Sequence, residues 1–91
     1  MAGKRSRVDI IVDMLSSIQE KGGRIKPTHL MYRSNLSHTQ LKSYLEELID
    51  KNFVAKILKD KSYEYVILTD TGSRFLEKLR EMKEFEKTFG L

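Results

Sequence analysis

The stretch THLMYRSNLSHTQLKSYLEELI, residues 28–49, decides how this chain folds: two helical patterns run nearly end to end, with only SNLS between them. Ser37-His38-Thr39-Gln40 fits a capping box, in which the Ser37 hydroxyl accepts from the Gln40 amide while the Gln40 side chain reaches back to the Ser37 amide. Leu36 before the cap and Leu41 at the fourth helical position supply the matching hydrophobic staple. The start of the second helix and the angle at which the chain runs into it are therefore fixed locally. Leu41, Tyr44, Leu45, Leu48 and Ile49 then form an apolar stripe at helical spacing, and Lys51-Asn52 closes the helix.

Upstream, Pro27 suits the first turn of a short helix over residues 27–34, with Leu30 and Met31 turned inward. Before it, Val8, Ile11, Val12, Leu15 and Ile18 predict an amphipathic helix from Arg5 to Lys21, ended by Gly22-Gly23 where a left-handed cap is least strained. Downstream the period changes to two. FVAKIL and YEYVIL, separated at KDKS, read as a β-hairpin. Thr69 or Asp70 can cap a last helix with Phe75, Leu76, Leu79 and Met82 on one side and Phe85 and Phe89 nearby. Three helices, a two-stranded wing and a C-terminal helix describe an α+β winged helix-turn-helix, with residues 1–91 as one domain and 70–91 as its last helix.

Composition narrows the chemistry. A chain of 91 residues makes one modest core, with little room for an enclosed catalytic pocket. Charged residues at 33% beside 40% hydrophobic ones read as a soluble, folded domain. The absence of cysteine removes disulfides, thiolate nucleophiles and cysteine-ligated zinc. No apolar run approaches the roughly 20 residues that cross a bilayer, and MAGKRSR leads into an amphipathic helix rather than a signal-peptide core, so a cytoplasmic protein without membrane attachment is expected. His29 and His38 lack partners for a metal site, no triad or carboxylate pair emerges, and neither an enzyme nor a cofactor is expected.

The net charge is only +4, and its distribution says more. From Lys21 to Leu45 there is no acid, while Lys21, Arg24, Lys26, Arg33 and Lys42 are all cations. Such a face fits the phosphates of double-stranded DNA. With residues 37–51 as recognition helix in the major groove, stepping about 100° per residue turns Thr39, Lys42 and Ser43 outward with Gln40 at the margin, which makes these four the candidate base contacts. Glu46 shares that line, so phosphate repulsion limits docking to the first two turns unless Glu46 accepts from a cytosine amine. Backbone contacts are expected from Thr28, His29, Tyr32, Arg33, Ser37 and His38, and from Lys59 and Lys61 in a wing over residues 56–63.

The motifs MYRSNLSHTQLKSYLEELIDKNFV (31–54) and YEYVILTDTGSRFLEKL (63–79) resemble the archaeal winged helix-turn-helix DNA-binding proteins, a family of predicted transcriptional regulators. The resemblance implies the winged-helix fold, binding to double-stranded DNA and a homodimer joined through the last helix. The dimer would use Phe75, Leu79, Met82, Phe85 and Phe89; the alternative is that these residues fold back on the first helix. Other uses of the same fold stay open: a protein-interaction module, or a sequence-neutral chromatin protein, for which a higher net charge would be expected.

Overall fold

The computed structural model describes residues 5–59 and 63–91. The elements run α1 (Arg7–Glu20), β1 (Arg24–Ile25), α2 (Pro27–Arg33), α3 (His38–Asp50), β2 (Val54–Lys59), β3 (Tyr63–Leu68) and α4 (Asp70–Thr88). This is the α+β winged-helix order anticipated above, with one addition. Arg24 and Ile25 form a two-residue strand that pairs antiparallel with β3, giving the sheet order β1-β3-β2. Two residues carry no readable alternation, and Ile25 becomes a strand only because its side chain is buried beside Val66.

All of the first three helices end in the same way. Gly22, Asn35 and Asn52 adopt left-handed backbone just past the helix ends. The next amide in each case reaches back to a carbonyl of the final turn: Gly23 to Ile18, Leu36 to Met31 and Phe53 to Leu48, at 2.9–3.0 Å. These are Schellman closures, and they satisfy carbonyls that would otherwise be orphaned. At the turn between α2 and α3 the closure places Leu36 in the core directly before the Ser37 cap. Two helix-end devices back to back leave the α2–α3 angle little freedom.

A single core lies between α1 and the other elements. Met14, Leu15, Ile18, Leu30, Leu48, Val54, Val66 and Leu76 are essentially inaccessible. Each such side chain stabilises the fold by roughly 1.5–3 kcal/mol relative to exposure. The start of α4 is fastened to the start of β2. Thr69 caps the helix by accepting from the Gly72 amide, and its hydroxyl stands 2.7 and 3.0 Å from the carbonyls of Asn52 and Phe53. A Cβ on Gly72 would sit 1.9 Å from the Phe53 carbonyl oxygen, so only glycine permits this approach.

Beyond that fastening α4 lies along α1. Leu76 and Leu79 are buried in the core, Arg80 donates to Gln19 and Ser16, and Lys83 bonds to Asp9. This corrects the expected dimer seam. Leu79 is 8% exposed and Phe75 stacks on Phe53 with ring centroids 4.0 Å apart, so both belong to the domain's own packing. An a/d spacing shows that a helix face is apolar, and here α1 and Phe53 cover its first half. Met82, Phe85 and Phe89 are not covered in this way and are 46–66% exposed. Among the described residues no helix is long and apolar enough to cross a membrane.

Candidate nucleic-acid interface

The interface expected from the sequence centres on the front of α3, and its cap forms as anticipated. The Gln40 amide donates to the Ser37 hydroxyl at 3.1 Å, and the Ser37 amide donates to Gln40 Oε1 at 2.9 Å. That box serves the third amide of the helix and leaves those of His38 and Thr39 at an end with no acid in its first turn. The partial positive charge of the helix terminus is thus uncompensated from within. Thr39, Gln40, Lys42 and Ser43 are all exposed around it. For Gln40 the cap narrows the options. Its Oε1 already accepts from the Ser37 amide and is held toward the cap with one lone pair occupied, while the amide nitrogen remains free to donate.

The expected backbone contacts distribute less evenly. Thr28, His29, Ser37 and His38 are exposed, and Tyr32 stands out at 72% exposure. Arg33 is exposed too but is engaged by Glu20 of α1, so a phosphate would have to compete with a carboxylate for it. Lys59 is the last residue of β2, and Lys61 lies outside the described residues.

Several cations are engaged by partners within the chain. Arg5 bonds to Asp13 and to the Asn35 carbonyl in the α2–α3 turn. Arg7 pairs with Glu47 and lies 5.8 Å from the ring centre of Tyr44, fixing α3 to the start of α1. Tyr44 is accordingly half-buried, on the scaffold side of α3. Arg24 covers the Tyr65 ring at 4.8 Å on the outer face of the sheet.

Between α3 and the wing lies a cleft of about 300 Å³. Pro27, Leu41 and Leu45 line it together with His38, Lys42 and Glu46 from α3 and Lys56 and Glu64 from the hairpin. Lys56 and Glu64 bridge the two strands at 3.6 Å. Lys56 is not among the residues expected from the sequence to contact DNA. Its signal is positional: it is opposite the buried Val66 in the register, on the core-facing side of a strand that runs on past the core. A charged residue on that side marks where the sheet leaves the core and begins to flank α3.

A profile of the family described as winged helix-turn-helix matches residues 4–87. A protein of Methanocaldococcus jannaschii, MJ0290, is 33% identical over 79 residues, covering 87% of this chain and 34% of that protein, so the chain spans about a third of that relative's length. Among solved structures, Sso10a-2, a DNA-binding protein from Sulfolobus solfataricus, superposes with a TM-score of 0.82 over 93% of this chain and 85% of that one, at 14% identity. A mutant MarR from E. coli, complexed with operator DNA, superposes with a TM-score of 0.69 over 78% of this chain and 51% of that one, at 25% identity. Element order, capped third helix, hairpin wing and a family match over most of the length agree: this chain belongs to the winged helix-turn-helix family.

Proposed function

We propose that this chain is a double-stranded DNA-binding transcriptional regulator, with α3 presented to the major groove by its front and residues 56–63 of the wing against the flanking backbone. The observation that carries the reading is the front of α3. A helix with an uncompensated positive end, small polar side chains and Lys42 stands exposed beside a hairpin. Thr39, Lys42, Ser43 and the free amide nitrogen of Gln40 meet base edges. Thr28, His29, Tyr32, Ser37, His38, Lys59 and Lys61 meet phosphates and sugars. The DNA-binding function stated for Sso10a-2 and the operator complex of MarR support the same use of the fold.

Fluorescence anisotropy with a mixed-sequence duplex tests this reading. Affinity falls steeply with salt, and Lys59→Ala lowers the slope of log K against log salt by about 0.9, the value of one phosphate contact. Absence of binding at low salt, or binding indifferent to salt, defeats it.

The regulator is a homodimer through the far end of α4. Met82, Phe85, Phe89 and Leu91 expose apolar surface there, and the Phe85 and Phe89 rings stand 4.7 Å apart. Light scattering on Phe85→Glu and Phe89→Glu checks this, and the expected result is conversion of a dimer to a folded monomer. That same surface also favours the second reading, a protein-interaction module. A monomeric wild type that captures another protein and shifts no duplex would establish it.

A further inference from the structure

The two adjacent acids of α3 have different situations. Glu47 is taken by Arg7 of α1. Glu46 is exposed on the line of Thr39, Lys42 and Ser43, and forms no ion pair or hydrogen bond with any described residue. Two cations share its cleft, yet neither neutralises it. Lys56 is held 3.6 Å from Glu64. Lys42 precedes Glu46 by four residues, the poorer of the two orientations for a helical ion pair. The apolar floor of Leu41 and Leu45 offers no donor.

A bare carboxylate on a surface that meets DNA is repelled by phosphate unless the groove supplies a donor. In the major groove the cytosine N4 amine is the natural partner of a carboxylate. The adenine N6 amine lies beside the N7 acceptor, which repels the second carboxylate oxygen. Resting on the DNA-binding reading above, we propose that Glu46 is a specificity-determining residue that selects cytosine within the bound site. Seven residues separate it from Thr39, roughly 10 Å at the rise of an α-helix. At about 3.4 Å per base pair, its cytosine lies up to roughly three steps from the bases read by the helix front.

The test is selection of bound sequences from a random duplex pool with wild type, Glu46→Ala and Glu46→Gln, followed by affinities for single duplexes that differ at the selected position. Wild type enriches cytosine at one position. Glu46→Ala loses that preference by about tenfold or more while the rest of the site is retained, and Glu46→Gln moves it toward adenine. A wild type with no cytosine preference overturns the inference alone. So do variants that bind every sequence more tightly with the selected site unchanged, which would make Glu46 only a repulsive brake. Failure of wild type to recover any duplex at low salt overturns the DNA-binding reading and this inference with it.

Discussion

Helices α1 and α3 begin with the same device and use it differently. Each opens on a serine whose hydroxyl accepts from the third helical amide, and each third residue reaches back to the serine amide, Asp9 to Ser6 and Gln40 to Ser37. In α1 the third residue is an acid, so a full negative charge sits at the positive helix end, and Lys83 from α4 bonds to the same carboxylate. In α3 it is a neutral amide with no acid in the first turn. The first helix end is compensated inside the molecule and serves to assemble α1 with α4. The second has no acid of its own in its first turn, and on the DNA-binding reading proposed above it is the end that meets phosphate. A cap therefore fixes where a helix starts, and the charge of its third residue sets how much of that end's positive character the helix itself offsets.

Making the two ends alike breaks the comparison most severely. Gln40→Glu preserves the capping box and adds a favourable carboxylate at the helix end worth about 0.3–1 kcal/mol, so melting temperature holds or rises slightly. Duplex affinity at low salt falls on the order of a hundredfold, because like charges brought together cost several kcal/mol. A variant that melts like wild type and binds DNA as well would show that the front of α3 does not face phosphate.

Removing each cap is a smaller change and sharpens the contrast. Ser6→Ala and Ser37→Ala each lose about 1 kcal/mol of stability by urea denaturation, since each orphans one helix-end amide. Only Ser37→Ala also weakens DNA binding beyond what its folded fraction explains. Equal weakening by Ser6→Ala would mean that the cap of α3 has no role apart from holding the fold.

The cap of α3 was legible in the sequence, whereas the expected start of α1 at Arg5 lies before its Ser6 cap. Ser37 and Gln40 three apart, with Leu36 and Leu41 as staple, are local, and local chemistry placed α3 and its exposed polar face. What partners a face was not local. Phe75 and Leu79 have the spacing of a seam between copies, yet Phe53 and α1 cover them, and no periodicity distinguishes a covering from the same chain from one supplied by another. Arg33 reads as a free cation until the fold brings Glu20 to it from thirteen residues away. Gly72 looks like an ordinary helix-start glycine, and its necessity appears only once the Phe53 carbonyl lies against it.

The last test separates charge from hydrogen bonding at the compensated end. The Asp9 carboxyl is lowered from 3.8 to about 2, first by its hydrogen bond from Lys83 and then by those from Ser6. A carboxyl depressed in the folded state binds its proton more readily in the unfolded chain, so its stabilising contribution is complete above about pH 4 and disappears as pH falls toward 2. The Lys83 amine is raised by the same bond, so its contribution is complete below 10.5 and is lost as pH climbs through the raised value. Asp9→Asn retains an oxygen able to accept from the Ser6 amide but removes the charge. The difference in urea midpoint between wild type and Asp9→Asn should therefore be constant near neutrality and shrink from pH 4 to pH 2. Because both groups are open to solvent, that difference should be smaller than the loss from Ser6→Ala and should decline with added salt. A difference that persists at pH 2 would place the effect in the hydrogen bond, and the contrast between the two helix ends would then no longer be one of charge.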